Sequence, residues 1–215
     1  MSLWVIVPVK PLNRAKSRLA NALSPEVRQK LAEMMFRHVL SVVTNVKQVT
    51  GTLVVSRDPK ALAIAREYGA KTVQETSAPE LNAALTRASE LINLWDATTS
   101  LVLPADLPLL AEQDIREMYE MCRGEPSVII APDKNGCGTN ALLLRPPGII
   151  PYSFGEDSMR GHAALAREAG VPYRIYRSKR LQLDIDCPED IRRYTELAEE
   201  MGFEPLPMPL KELDW

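Results

Sequence analysis

Short β-branched segments alternate with longer helical patterns along most of this chain, and this alternation restricts its fold more than any other feature. Residues 4–9 are apolar on both faces, as in a strand buried inside a parallel sheet. Ser24 and Pro25 supply an N-cap followed by proline at the first helical position, and apolar residues then recur at helical spacing up to Val46. This order predicts an α/β fold with a mostly parallel, Rossmann-like sheet and helices on both faces.

The same patterns continue to residue 201. Further strands are predicted at residues 53–56, 71–74, 100–103, 127–131, 141–145, 173–176 and 182–185. Further helices are predicted at residues 59–68, 79–94, 112–122, 157–169 and 188–201. The second half breaks the strict alternation, so one antiparallel strand is expected and the sheet should be mixed.

Composition supports one globular domain over residues 1–202. The net charge of -2 provides no overall attraction to nucleic acid or to an anionic membrane. No apolar stretch approaches the roughly 20 residues that span a bilayer. The N-terminus lacks the basic leader of a signal peptide. Three cysteines without paired spacing favour a reducing cytoplasm. The proline-rich apolar tail, residues 203–215, is expected to run extended over a surface, which a homodimer partner could provide.

Three carboxylates follow predicted strands at two distant places in the chain. Asp106 ends an apolar segment, while Asp184 and Asp186 lie on one predicted strand and should point the same way. Like charges on one face need a cation nearby, and converging carboxylate oxygens are the ligands that Mg²⁺ prefers. The alternative is that Asp106 caps a short turn and that Asp186 caps the last helix.

A basic loop directly follows the first predicted strand, where ligands bind in open α/β sheets. It carries four cations within nine residues, Lys10, Arg14, Lys16 and Arg18. Such a loop suits a triphosphate, and Lys16 and Arg18 could neutralise charge on leaving phosphates. The alternative is a solvated basic loop.

Two glycine-containing segments could bind further anions. In residues 136–140 the backbone N–H groups could form an anion nest, with the Thr139 hydroxyl as a further donor; the alternative is a plain hairpin turn. In residues 154–162 a helix begins near Gly155 and Ser158, and its free N–H groups could hold a phosphate or carboxylate. The alternative there is that Asp157 caps the helix.

These segments, in this order, resemble the 2-phospho-L-lactate guanylyltransferase family, which also includes phosphoenolpyruvate guanylyltransferases and serves the synthesis of the deazaflavin coenzyme F-420. The more specific motifs are Lys-Ser-Arg-Leu at 16–19 and Gly-Thr-Asn-Ala-Leu at 138–142. The other matching stretches are residues 7–10, 81–85, 105–109, 154–158, 184–186 and 188–190. Together they cover most of residues 4–200.

The resemblance implies a fold like that of nucleotide-diphospho-sugar transferases and a set of site residues. Mg²⁺ would be held by Asp106, Asp184 and Asp186. The phosphorylated acid would be bound by Thr139, Gly155 and Ser158. The nucleotide would be bound by Lys10, Lys16, Arg18 and Asn82. The residues acting in catalysis would be Lys16, Arg18 and Asp106.

The implied reaction is transfer of GMP from GTP to the phosphate of a phosphorylated three-carbon acid, with release of pyrophosphate. Phosphoenolpyruvate and 2-phospho-L-lactate are the favoured acceptors, and 3-phospho-D-glycerate shares their charge and size. Glu156 and Asp157 depart from what an anion site would favour. The alternatives are a molybdopterin guanylyltransferase or a nucleotide-sugar glycosyltransferase of the same fold, or a non-catalytic nucleotide-binding module. The first of these usually has glycine after the first strand, whereas residues 8–11 contain none.

Overall fold

The computed structural model describes residues 2–75, 80–122 and 125–203. In these residues the strands are β1 Leu3–Val9, β2 Val49–Ser56, β3 Lys71–Gln74, β4 Thr99–Val102, β5 Ser127–Pro132, β6 Thr139–Arg145 and β7 Tyr173–Ile175. The α-helices are α1 Pro25–Asn45, α2 Pro59–Glu67, α3 Leu81–Asn93, α4 Glu112–Met121, α5 Ser158–Glu168 and α6 Pro188–Met201. Short 3-10 turns at Leu12–Arg14 and Ser17–Leu19 lie in the basic loop.

The strands form one seven-stranded sheet in the order β3-β2-β1-β4-β6-β5-β7. Strand β1 pairs in parallel with β2 and β4, and β7 pairs in parallel with β5. Strand β6 runs antiparallel to both of its neighbours, β4 and β5. The mostly parallel sheet with one antiparallel strand is therefore confirmed.

Helices cover both faces of this sheet, as predicted. One face packs Val5 and Val7 of β1 beneath α1, α2 and α4, whereas Trp4 and Ile6 face α3 and α5. A third cluster lies between α1 and α6 and includes Leu183 and Ile185. Alternate residues of β1 thus serve two separate cores, which explains why the segment is apolar throughout.

The cap signals in the sequence place two helix starts correctly. Ser24 Oγ accepts a hydrogen bond from Val27 N at 3.4 Å, and Asp58 Oδ1 accepts one from Lys60 N at 2.9 Å. The predicted start of the third helix at residue 79 and the predicted tail beyond residue 203 lie outside the described residues. Among the helices that are described, none combines the length and the apolar character needed to cross a bilayer.

The predicted strand at residues 182–185 is wrong. The segment makes no ladder within the described sheet. Its residues are nevertheless buried in alternation: Leu181 packs in the core beneath α1, α2 and α4, Leu183 and Ile185 pack between α1 and α6, and Asp184 and Asp186 stay half-buried. Burial against helices produces the same two-residue period as pairing in a sheet, so the pattern alone could not separate the two.

Candidate active site

A cleft of about 420 Å³ opens beyond the carboxyl ends of β1 and β4. Its lining includes five of the predicted site residues, Lys10, Lys16, Arg18, Asp106 and Asp186. The volume falls within the range of small-molecule sites, and the position is the one that open α/β sheets use for ligands. The structure therefore brings the basic loop and two of the three predicted metal ligands into one cavity.

Lys16 lies at the centre of this charge cluster. Its ammonium is 2.5 Å from Asp106 Oδ2 and 3.2 Å from Asp186 Oδ1, with only 5% of its side-chain surface exposed. Burial opposes the charged form, but the two carboxylates outweigh burial and raise the pKa of Lys16. Its backbone is left-handed, with φ 56°, an uncommon conformation for a residue with a Cβ.

The other two cations are more accessible than Lys16. Arg18 Nη1 lies 3.2 Å from Asp186 Oδ2, and 77% of the Arg18 side chain is exposed. Lys10 lines the same cleft and is exposed. Both side chains can therefore reach a polyanion entering the cleft, while Lys16 is already held against carboxylates.

Asp184 is fixed beside the other two carboxylates by a neighbour on β6. Asn140 Nδ2 donates to Leu181 O at 2.9 Å and to Asp184 Oδ1 at 3.4 Å. Burial raises the pKa of Asp184, and the negative charges of Asp106 and Asp186 raise it further. The three carboxylates thus lie close enough to repel one another, although they come from a sheet strand end and an unpaired segment.

This donor set suits a divalent cation, with one rearrangement. Within residues 2–75, 80–122 and 125–203, no three His, Cys, Asp or Glu side chains are already arranged as a metal cage. The ammonium of Lys16 instead lies against Asp106 and Asp186. The oxygen ligands and the mutual repulsion fit Mg²⁺ chemically, provided that Lys16 moves aside.

Asp190, not Asp186, caps the last helix. Asp190 Oδ2 accepts hydrogen bonds from Asp186 N and Cys187 N, both at 2.9 Å, and its other oxygen pairs with Lys134. The capping alternative for Asp186 is therefore wrong. The Asp186 carboxylate contacts Lys16 and Arg18 instead.

A buried ionic network, which the sequence did not reveal, holds the segment that leads to Asp184. Asp114 on α4 has no exposed side-chain surface and pairs with Arg180 through two contacts, at 2.8 and 3.0 Å. It also accepts hydrogen bonds from Ser178 at 2.6 Å and Tyr176 at 3.1 Å. Four side-chain contacts thus hold residues 176–180 on α4, immediately before the segment 182–185 that lacks the predicted strand pairing.

A second cluster contains the residues predicted to bind the acid. Thr139 begins β6, and its Oγ1 lies 3.1 Å from His162 Nδ1. Ser158 is buried at the first residue of α5, and Gly155 has φ 150°, which favours glycine. Because Thr139 directly precedes Asn140, the acid cluster and the carboxylate cluster are joined through adjacent residues of one strand.

The loop before β6 does not form the predicted open anion nest. Asp133 Oδ1 accepts a hydrogen bond from Cys137 N at 2.9 Å, and the Asp133 side chain fills the space beside Gly138. The backbone N–H of Cys137 therefore already donates to Asp133 and is not available to an external anion. The sequence showed the glycines but not that Asp133 folds back onto them.

The start of α5 departs from the capping alternative. Asp157 has φ 52° and makes no side-chain cap bond; its carboxylate lies 3.5 Å from Arg160 Nη1. The Asp157 carboxylate, which departs from what an anion site would favour, is thus paired with Arg160. Met159 N donates to Cys137 O at 2.9 Å, which packs the loop before β6 against this helix start.

Asn82 occupies an unexpected position relative to the predicted nucleotide contact. Its Nδ2 donates to Phe154 O at 3.1 Å, and its Oδ1 accepts from Phe154 N at 2.8 Å. Both ends of the amide therefore hold the backbone next to Gly155. The prediction that Asn82 binds the nucleotide stays a prediction, while its observed contacts belong to the acid cluster.

Comparisons with known proteins agree with this geometry. A family model described as guanylyl transferase CofC like matches residues 3–197. A phosphoenolpyruvate guanylyltransferase from Chloroflexus aggregans is 37% identical over 197 residues, covering 88% of this chain and 95% of the relative. One from Rubrobacter xylanophilus is 40% identical over 193 residues, covering 90% of this chain and 93% of the relative.

Solved structures share the fold at low sequence identity. One from Desulfovibrio desulfuricans, described as a nucleotide-diphospho-sugar transferase, has a TM-score of 0.77 at 12% identity and covers 97% of this chain and 93% of its own. A 4-diphosphocytidyl-2C-methyl-D-erythritol synthase from Anaerococcus prevotii has a TM-score of 0.64 at 9% identity, covering 92% and 96%. The fold class predicted from the sequence is confirmed.

Proposed function

Because this chain belongs to the family of CofC-like guanylyl transferases, as its motifs indicated, we propose that it transfers GMP from GTP to the phosphate of phosphoenolpyruvate, with release of pyrophosphate. The observation that carries this proposal is the contact of Lys16 with both Asp106 and Asp186 inside the cleft at the end of β1. Phosphoenolpyruvate is the acceptor in the names of the relatives. The product would serve the synthesis of the deazaflavin coenzyme F-420.

The chemistry requires alignment of two polyanions more than acid or base catalysis. A phosphate oxygen of the acceptor attacks the α-phosphorus of GTP in line, and the bond to the β-phosphate oxygen breaks. The acceptor phosphate is already anionic near neutral pH, so no group needs to remove a proton. The protein contributes by holding the reactants close and by neutralising charge.

Different charged residues of the site would bind the metal, the departing pyrophosphate and the triphosphate. Mg²⁺, held by Asp106, Asp184 and Asp186, would supply positive charge at the reacting phosphates. Lys16, released from its carboxylates, and the exposed Arg18 would bind the departing pyrophosphate. Lys10 would contact the triphosphate from the end of β1.

The acid would bind across the adjoining cluster. The Thr139 and Ser158 hydroxyls and the backbone at Gly155 offer hydrogen-bond donors near the start of α5. Asn140 connects this cluster to Asp184. The acceptor phosphate would thus lie between the α5 start and the carboxylates.

An acceptor panel tests the reaction. The protein is mixed with Mg²⁺, each of the four nucleoside triphosphates, and phosphoenolpyruvate, 2-phospho-L-lactate or 3-phospho-D-glycerate, and pyrophosphate release is measured. We expect release with GTP, fastest with phosphoenolpyruvate. Equal rates with another nucleoside triphosphate would refute guanine selectivity. Silence with every acid would favour the non-catalytic nucleotide-binding module.

Single aspartate substitutions test the carboxylate assignment. Asp106→Asn, Asp184→Asn and Asp186→Asn should each lower turnover by on the order of 10²-fold or more. They should also abolish the rise in melting temperature that Mg²⁺ produces by binding the native state. Asp96→Asn is a suitable control because Asp96 is exposed at φ 58°, a conformation that asparagine tolerates. Near-normal turnover in all three site variants would refute the assignment.

A further inference from the structure

His162 on α5 is a fully buried side chain that connects three parts of the acid cluster. None of its surface is exposed. Its Nε2 accepts a hydrogen bond from Ser153 N at 3.0 Å, and its Nδ1 lies 3.1 Å from Thr139 Oγ1. The ring also meets the Phe154 ring edge-on, with centroids 4.9 Å apart and an interplanar angle of 71°.

These contacts define where the proton of the ring resides. A backbone N–H can only donate, so Nε2, which accepts from Ser153 N, must be unprotonated. Burial lowers the pKa of His162 to about 4, which keeps the imidazole neutral near pH 7. A neutral imidazole with an unprotonated Nε2 carries its proton on Nδ1.

The tautomer determines the direction of the Thr139 hydroxyl. Since Nδ1 carries a hydrogen, it can only donate, so Thr139 Oγ1, like the Ser158 backbone carbonyl that also hydrogen-bonds the ring, can only accept from it. The hydroxyl hydrogen of Thr139 is then available to another acceptor. Within the described part of the chain, no second hydrogen-bond partner is observed for this hydroxyl.

The same ring sets the loop that carries Gly155. His162 holds Ser153 N, and Asn82 holds both backbone polar groups of Phe154. The two residues before Gly155 are therefore fixed by side chains from α5 and α3. A change at His162 would disturb the hydroxyl donor and the backbone donor of the acid cluster together.

We propose that His162 is a positioning residue that directs the Thr139 hydroxyl proton toward the anionic acceptor and aligns the backbone at Gly155. The identity of that anion rests on the proposed function, whereas the hydrogen-bond directions rest on the structure alone. A hydroxyl committed to donating discriminates in favour of an anion, which can only accept. His162 thus acts through Thr139 and does not touch the substrate.

The first test needs no substrate. Long-range ¹⁵N–¹H spectra of the ¹⁵N-histidine-labelled protein at pH 7 should show His162 neutral, with a protonated Nδ1 and an unprotonated Nε2. Assignment comes from a His162→Gln sample. A ring protonated at Nε2, or at both nitrogens, would overturn the proposal whatever reaction the protein catalyses.

Two amide substitutions separate the contacts of the ring. His162→Gln places its carbonyl near the former Nε2 and can still accept from Ser153 N, but it loses the donor to Thr139. His162→Asn places an amide donor near the former Nδ1 and keeps the Thr139 contact. We expect the KM for phosphoenolpyruvate to rise about 10- to 100-fold in His162→Gln, as for loss of a hydrogen bond to a charged group, and to rise less in His162→Asn.

The KM for GTP and the kcat should change little in either variant, because the nucleotide cleft is a separate set of residues. Thr139→Val with His162→Gln should be no weaker in acid binding than Thr139→Val alone, since both remove the same directed donor. A double variant in which the two losses of acid binding multiply, or an equal rise in the KM for GTP, would overturn the proposal.

If the wild type turns over none of the acids, the proposed function fails. The dissociation constant for phosphoenolpyruvate, measured by calorimetry, then replaces its KM in this comparison. The spectra still decide the tautomer of His162.

Discussion

Lys16 Nζ lies 2.5 Å from Asp106 Oδ2, although 90 positions separate the two residues along the chain. The same ammonium lies 3.2 Å from Asp186, so one lysine compensates two carboxylates from different parts of the fold. A lysine in this position reduces the repulsion within the acidic cluster but does not remove it, since Asp106 and Asp186 still raise the pKa of Asp184. It also lies where the proposed cation would bind, so Lys16 would compete with that cation before contacting the phosphates as proposed.

Lys16→Met should separate these two roles. Methionine keeps an unbranched stem but removes the charge, so we expect turnover to fall by about 10²- to 10³-fold, as for loss of a preorganised electrostatic donor. Mn²⁺ binding, followed by electron paramagnetic resonance without nucleotide, should become tighter because no ammonium competes for the carboxylates. Lys47→Met, at an exposed lysine, serves as the control. Weaker Mn²⁺ binding in Lys16→Met would show that the lysine does not compete for this site.

Asp114→Asn tests the ionic network that holds the segment before Asp184. The substitution leaves the partly buried Arg180 without its charge partner, and breaking a buried pair from one side costs about 3–5 kcal/mol. We expect a loss near the lower end, about 3 kcal/mol, in the free energy of unfolding measured with urea, because the asparagine retains an acceptor oxygen. Glu112→Gln breaks an exposed pair with Arg116 on the same helix and should cost less than about 1 kcal/mol. Equal losses in the two variants would contradict a structural role for the network.

Much of the sheet and of the cleft could be predicted from the sequence because the signals are local. Ser24 and Asp58 cap the helices that their positions predicted, and residues 71–74 form the predicted strand. Asp106 and Asp186 line one cleft, and Asp184 lies near enough for their charges to raise its pKa. Local patterns report which side chains are buried, and burial alone suffices for these features.

Several of the missed features depend on partners that lie in other elements of the fold. Asp114 and Arg180 are 66 positions apart, and nothing near either residue identifies the other. His162 lies in the predicted anion-binding segment 154–162, but its role was missed because its partners, Thr139 and Ser153, contribute a hydroxyl and a backbone group that carry no motif. The strand prediction for residues 182–185 was wrong because their alternation of buried and half-buried residues reflects packing against helices and not pairing with a neighbouring strand.

Asn82→Ala distinguishes the loop contact from the predicted nucleotide contact. It removes both hydrogen bonds to Phe154, so we expect a higher KM for the acid, an unchanged KM for GTP, and a stability loss of roughly 1–3 kcal/mol. The matched control is Thr86→Ala, one turn further along α3, where the exposed hydroxyl bonds only the helix backbone. A rise in the KM for GTP without a change for the acid would instead support nucleotide binding.

Acidification should selectively weaken the protein through His162. The pKa of this imidazole is about 4 in the native state, below the usual value near 6.5 expected for the unfolded chain, so the unfolded state binds more protons between these values. The contribution is therefore fully present above about pH 6.5 and is lost as the pH falls toward 4, with a limit of about 3 kcal/mol. The groups that contact the ring, Thr139, Ser153, Phe154 and the Ser158 backbone, are uncharged, and burial outweighs the Ser158 hydrogen bond that favours the charged ring.

The measurement is the free energy of unfolding in urea at several pH values between 7.5 and 4.5, for the wild type and for His162→Gln. Other titrating groups, including His38, whose pKa is also lowered by burial, contribute equally to both proteins and cancel in the difference. The difference should shift against the wild type as the pH falls, because only the wild type must keep a buried imidazole unprotonated. A difference that stays constant across this range would mean that His162 titrates alike in the folded and unfolded chains. Its ring would then not be the buried neutral hydrogen-bonding group on which the orientation of Thr139 depends.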